Sequence, residues 1–215
     1  MYMPRHFEQA DIGILHDAID AFPLGALVTV GPDGPDANHI PFELNRAQGP
    51  FGTLRCHVAR ANPVWRAARE GEDRALVIFR GVSGYISPNW YATKQTTHQV
   101  VPTYNYAVVH AHGRIAVHDD PQWVRGLVAR LTRRHESAQP RPWKMTDAPE
   151  DFLDAQLAQI VGLEIVVERL EGKWKMSQNR PAADRAGVIA GLREQGGPAS
   201  ESLADEVGRS QPPVA

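Results

Sequence analysis

Two β-type segments, LGALVTV (24–30) and ANHIPFEL (37–44), are joined by only GPDGPD (31–36), a Gly/Pro connection that closes a hairpin and is too short for a parallel crossover. Further strands are expected at FGTLRCHV (51–58), RALVIF (74–79), AVVHAHGRIAVHD (107–119) and LEIVVERLEGKWKM (163–176), with Gly113 marking a bulge in the 107–119 strand. Between them the helical signals are mostly short. Ile12, Leu15, Ile19 and Phe22 recur on one helical face behind Asp11 as cap, and Asn62 followed by Pro63 starts a brief helix in NPVWRAARE. Asp120 and Pro121 open a helix over 120–136, a further helix runs from about Pro149 to Val161 with Gly162 as its stop, and a last one covers 182–194. Strands interrupted by short helices, rather than alternating with long ones, predict a mainly β chain with α decoration. The expected architecture is a small antiparallel barrel and not a doubly wound sheet.

At 215 residues with 42% hydrophobic content the chain can bury one core, expected over 1–195. Residues 196–215 lack aromatics and are expected to be a disordered tail. Lys and Arg number 23 against 25 Asp and Glu, so no net field draws the molecule to nucleic acid or anionic lipid, and any anion site must be local. Cys56 is the single cysteine, which excludes an intrachain disulfide. The opening MYMPRHFEQAD has neither the basic nor the apolar part of a leader, and no apolar run approaches the ~18 residues of a membrane span. A cytoplasmic protein without a membrane partner is expected.

Three polar clusters interrupt the apolar pattern: NHIPFE (38–43), RCHVARANPVW (55–65) and KMSQNR (175–180). The second joins a strand to a helix start, where His57, Arg60 and backbone N–H groups could hold a phosphate; the alternative is that Asn62 only caps its helix and Arg60 is solvated. The third has its own plain reading, since a strand leaving a core becomes polar as it meets water. Residues 83–106 show no sustained periodicity and are aromatic, with Tyr85, Trp90, Tyr91, Tyr104 and Tyr106, and aperiodic stretches of this length are more often functional than decorative. His110 and His112 share one strand face, with His118 further along, but no HExxH or CxxC accompanies them, so packed or surface histidines are expected and no metal is assigned. GxSxG, GxGxxG and GxxxxGK[ST] are all absent, which argues against common hydrolase, dinucleotide and ATPase classes. Arg125, Arg130, Arg133 and Arg134 give one helix a basic side, but the connector SAQPRPWKMTDAP after it fits no helix-turn-helix, and a solvated face is expected.

Taken in order, NHIPFELN, CHVARANPVW, GYISPNWY, VVPTYNYAVVHAHG and KMSQNR closely resemble the PaiB family of FMN-binding negative transcriptional regulators. That family shares the split-barrel flavin fold of pyridoxamine-phosphate oxidases. The resemblance runs from the first residues to about 193, with Tyr104 standing where the family usually has Trp, a change that keeps an aromatic plane. It implies an antiparallel FMN-binding split β-barrel and a homodimer with FMN at the subunit interface. His39, Ile40 and Pro41 would then run along the ring edge, and His57, Ala59, Arg60 and Asn62 would form the phosphate corner. Tyr85, Trp90, Asn105 and Tyr106 would cover the ring or its groove, and Lys175, Ser177, Gln178, Asn179 and Arg180 would reach phosphate or ring edges. No catalytic residue is assigned. The implied function is flavin-dependent regulation of transcription, without an evident module for direct DNA binding; the alternative is a flavin-dependent oxidoreductase acting on a small molecule.

Overall fold

The computed structural model describes residues 1–210. The strands are β1 (Glu8–Gln9), β2 (Leu24–Gly31), β3 (Gly34–Pro41), β4 (Glu43–Asn45), β5 (Thr53–Ala59), β6 (Arg74–Ile86), β7 (Thr103–His118) and β8 (Ile160–Lys175). The helices are α1 (Ile12–Ala21), α2 (Val64–Arg69), α3 (Lys94–Thr97), α4 (Pro121–Glu136), α5 (Glu150–Leu157), α6 (Ala182–Gln195) and α7 (Pro198–Arg209). By contacts the chain divides into two compact units, one built from 1–21, 80–109 and the chain from Glu171 onward, the other from 22–79 and 110–170.

The strands follow the order β3-β2-β6-β7-β8-β5-β4. The expected hairpin is there, β2 against β3 with Ala26 opposite His39, and Ala26 also faces Ile78 of β6. β5 pairs antiparallel with β8, Cys56 opposite Leu163, and β4 closes on β5. The β2–β3, β2–β6, β4–β5 and β5–β8 pairings are all antiparallel, and the sheet stays open, with β3 and β4 as its ends. Leu27, Leu54, Val77, Phe79, Leu163 and Ile165 are buried here, and Phe42 meets Phe79 edge to face at 5.6 Å. Truncating one such buried large side chain to alanine costs about 2–5 kcal/mol. Asp120 caps α4 by accepting from the Gln122 amide at 3.1 Å, as its sequence position predicts.

In the first unit β1 pairs with the end of β8, Glu8 opposite Lys173. Leu15 and Ile19 of α1, Val188 and Leu192 of α6, and Met176 form its core. Two expectations are corrected here. The tail expected to be disordered is helical over Pro198–Arg209, because Leu203, Ala204 and Val207 fall on one face and are buried, while Pro198 sits in the first turn. Few apolar residues suffice when their spacing is helical. Residues 211–215 lie outside the described part. The stretch 83–106, read as one aperiodic segment, is shorter as a loop: β6 continues to Ile86 and β7 begins at Thr103, leaving 87–102 as the connector with a 3-10 turn at Pro88–Trp90 and the single turn α3.

One boundary moved in the second unit. The helix expected to reach Val161 ends at Leu157, and Gly162 is a strand residue rather than a helix stop. A methyl at Gly162 would lie 2.2 Å from the Trp123 ring, so glycine is required there by close approach of α4 to β8.

Candidate functional site

The residues singled out in the sequence fall into two groups, one in each unit. In the second unit, His39 and Pro41 are exposed on β3, an end strand of the sheet, and Ile40 between them is buried. The Asn62 amide donates to the Asn38 side-chain oxygen at 2.7 Å, which ties the corner after β5 to β3 and brings NHIPFE and CHVARANPVW together. The Asn62 oxygen accepts from the Val64 amide at 3.0 Å, so the capping role holds as well. His57 is half-buried, and its Nδ1 has no hydrogen-bond partner among the described residues; burial pulls its pKa below the ordinary histidine value.

Arg60 is committed. Its guanidinium grips Asp119 through both nitrogens, at 2.6 and 3.2 Å, and its Nε donates to the Ala158 carbonyl at 2.7 Å. That bond to Asp119 raises the Arg60 pKa and holds the Asp119 carboxyl below the usual range. The corner is still net positive. Arg69 reaches the same carboxylate at 3.8 Å, and Arg66 and Arg69 lie over the Trp65 ring at 4.6 and 5.1 Å from its centre. Sequence reading passed over Arg66 and Arg69, although WRAAR directly follows the corner.

In the first unit, Asn105, Lys175, Ser177, Asn179 and Arg180 line one cavity of ≈ 170 Å³ together with Tyr91, Thr103 and Phe7. Ser177 makes the turn that shapes it, at φ 62°, a left-handed conformation that few non-glycine residues hold without support. The support is visible: the Asn105 amide donates to Ser177 Oγ at 3.0 Å, and the Arg180 amide to the Ser177 carbonyl at 3.0 Å. Gln178 serves the turn rather than the cavity, accepting from the Met176 amide and donating to the Trp174 carbonyl, each at 2.6 Å. Lys175 donates to the Thr103 hydroxyl and to the Tyr104 carbonyl, the latter at 2.8 Å. Burial pulls its pKa down, Lys173 and Arg180 add to that, and Tyr106 opposes it. Neither Lys175 nor Arg180 has a carboxylate partner among the described residues.

Tyr91 is the site residue that sequence reading missed. It is 1% exposed, its hydroxyl has no partner in hydrogen-bond geometry, and the Arg180 guanidinium lies 4.8 Å from its ring centre. Burial raises its pKa and the Asp184 charge adds to that, while the Arg180 guanidinium, through its charge and its approach to the hydroxyl, pulls the other way. Two contacts hold the segment that carries it. Asp184, also 1% exposed, accepts from the Thr93 amide and hydroxyl at 2.8 Å, and Trp90 packs on α6 where a methyl at Gly191 would lie 2.4 Å from the indole. Trp90 therefore anchors the connector and Tyr85, half exposed, meets Tyr104 edge to face at 6.0 Å; neither lines the cavity. Tyr106 stands near Lys173, whose Nζ lies 5.5 Å from its ring centre.

Two arginines on the basic side of α4 are paired within their own unit, Arg125 with Asp154 at 2.6 Å and Arg130 with Glu43 through two nitrogens at 2.6 and 2.9 Å. His110 and His112 do share a face, their ring centres 6.3 Å apart, and the Arg169 guanidinium sits 3.1 Å from His112 Nδ1. Burial pushes the Cys56 thiol well up, away from nucleophilic use. Among the described residues no helix is long and apolar enough to cross a membrane.

Comparison with known proteins gives a consistent result. Residues 1–169 match the family model described as "Putative FMN-binding domain". An uncharacterized protein of Aspergillus fumigatus is 34% identical, over 91% of this chain and 92% of that one. The Bacillus subtilis protease synthase and sporulation protein PAI 2 is 29% identical over 95% of each chain. Among solved structures, the FAD and heme binding protein from Mycobacterium smegmatis aligns with a TM-score of 0.55 at 20% identity, covering 78% of this chain and 73% of that one. The flavocytochrome Anf3 from Azotobacter vinelandii gives 0.56 at 12% identity, covering 80% and 72%. At these identities the two structures show the shared fold, a mostly antiparallel sheet with helices.

Proposed function

The chain belongs to the FMN-binding domain family, and from that premise we propose that it is a regulatory flavoprotein in which FMN lies between two copies of the chain. FMN is its cofactor. The observation that carries the placement is the corner after β5, which combines surplus positive charge from Arg60, Arg66 and Arg69 with the unpartnered Nδ1 of His57. An FMN phosphate carries close to two negative charges and is held by charge-assisted donors, so this corner fits it. The neighbouring β3 end strand, with His39 and Pro41 exposed, offers backbone groups to a ring edge.

When bound, FMN supplies the redox chemistry, and the protein supplies binding, orientation and electrostatics. Burial disfavours the charged form of His57, and its unpartnered Nδ1 can donate or accept a hydrogen bond. Asp119 keeps the Arg60 fork in place, and Asn62 holds the corner against β3. A regulatory role is supported by the Bacillus relative, whose name ties it to protease synthesis and sporulation. Direct operator binding is not part of the proposal, because Arg125 and Arg130 of the basic helix are paired with Asp154 and Glu43.

The absorption spectrum of freshly purified protein, with mass identification of what denaturation releases, tests the cofactor. A yellow protein releasing FMN is expected; a colourless protein that takes up no added FMN sinks the reading. Light scattering on the flavin-loaded protein tests the dimer, and a flavin-loaded monomer would overturn the interface placement. A second reading, an oxidoreductase acting on a small molecule, is favoured by the separate polar cavity of the first unit. Anaerobic mixing with NADH and NADPH checks it, and failure of both to bleach the flavin counts against it.

A further inference from the structure

We infer that the cavity of the first unit is a built binding site for the oxyanion of a small molecule, a phosphate monoester or a carboxylate, with Tyr91, Lys175 and Arg180 as its ligands. Positive charge is the first reason. Lys175 and Arg180 both line it, and no carboxylate among the described residues neutralises either one. Two cations held together without a counter-charge repel each other, and that arrangement is relieved when an anion enters.

The second reason is a buried hydroxyl beside Arg180. Tyr91 is almost completely buried, yet its hydroxyl finds no partner, and burying an unsatisfied hydroxyl is unfavourable. Tyr91 lines the same cavity, and in this proposal the oxyanion held by Lys175 and Arg180 is the acceptor that its hydroxyl lacks. The third reason is that the wall is fixed rather than adaptable. Ser177 is held in a left-handed turn by Asn105, and Tyr91 is carried on a connector clamped by Asp184. Strained backbone supported from several sides is characteristic of binding sites.

Size sets the ligand class. A volume of ≈ 170 Å³ is below the ~300 Å³ at which pockets begin to enclose drug-sized ligands, so it suits a phosphate or carboxylate group with a few attached atoms and excludes a tricyclic ring. The inference goes beyond the flavin reading and does not require it. The same oxyanion chemistry has two sources, a separate metabolite or the phosphate of FMN itself, and the experiment separates them.

The experiment is calorimetric titration with inorganic phosphate at constant ionic strength, on protein as purified and after flavin removal, for the wild type and for Tyr91→Phe, Lys175→Met and Arg180→Gln. Wild-type binding is expected to weaken about tenfold or more in Arg180→Gln and Lys175→Met, and several-fold in Tyr91→Phe, in proportion to charged and neutral hydrogen bonds. Tyr91→Phe removes one atom and keeps the packing, so it remains informative should the charge variants unfold. Phosphate binding that persists in the FMN-loaded protein supports a separate metabolite. Phosphate binding abolished by FMN but not by riboflavin supports the oxyanion site with FMN as its occupant, and then it is the corner at Arg60 that loses its assigned role. Absence of phosphate binding in both forms, or equal affinity in wild type and all three variants, overturns the inference.

Discussion

The corner after β5 and the cavity at the end of β8 are built from similar sequence, a polar tract with two or more cations where a strand leaves the core, yet they handle charge in opposite ways. At the corner the principal cation is part of the structure: Arg60 is gripped by Asp119 and also bonds the Ala158 carbonyl. In the cavity the structural ion is an acid, Asp184, bonded to Thr93, while Lys175 and Arg180 have only neutral acceptors or an aromatic face. A cation in a motif is thus a ligand candidate only to the extent that its counter-charge is missing. The corner keeps its capacity through Arg66 and Arg69, and the cavity through residues with no acid beside them.

The largest effect should come from the buried acid. Asp184→Ala removes an acceptor that is 1% exposed and leaves the Thr93 amide without its partner, which is expected to cost about 2–4 kcal/mol in chemical denaturation. The same variant should lose phosphate binding, because the connector carrying Tyr91 loses its clamp. A stability loss under 1 kcal/mol would show that Trp90 on α6 holds this segment alone.

The next test exchanges the two arginines. Arg60→Ala should lower stability by about 1 kcal/mol, a figure already reduced for the 38% exposure of its side chain, and Arg180→Ala should change stability by under about 0.5 kcal/mol. In the FMN-loaded protein, where the flavin phosphate fills the corner, binding of inorganic phosphate should divide the other way, with Arg180→Ala losing affinity and Arg60→Ala keeping it. If Arg180→Ala proves the more destabilising of the two, the contrast between structural and available cations is wrong.

Much of this was legible in the sequence, and the losses have physical causes. The hairpin at 24–41 follows from its Gly/Pro connection, and the start of α4 from Asp120 and Pro121, because these are local preferences that tertiary packing did not override. The polar tracts were visible for the same reason: charge at a strand end is conspicuous. Their pairing was not, since Arg60 meets Asp119 across 59 residues and Arg55 meets Glu164 across 109, separations that no local pattern encodes. Tyr91 was hidden differently. An aromatic among four others in an aperiodic stretch gives no sign that its hydroxyl will be buried without a partner, and only the Asp184 to Thr93 clamp fixes where it goes. The α7 helix was missed because a low apolar content was weighed without its spacing, Leu203, Ala204 and Val207.

The smallest effect sharpens the comparison through pH. Asp119 has its pKa lowered, first by the hydrogen bond from Arg60, so the folded state holds this proton less tightly than the unfolded state. The pair's contribution to stability is therefore complete above the ordinary carboxylate range and fades as pH falls through the lowered Asp119 value. Melting temperatures of wild type and Arg60→Ala, measured from pH 6 down to pH 3, should accordingly converge on acidification. The gap between wild type and Arg180→Ala should stay flat over the same range, because no carboxylate among the described residues pairs with Arg180. Solvent reaches the Arg60–Asp119 pair, so the convergence amounts to a degree or so and needs salt held constant. A gap that instead stays flat down to low pH would mean that Arg60 stabilises the corner through the Ala158 carbonyl rather than through Asp119, and the two regions would then differ in geometry and not in charge.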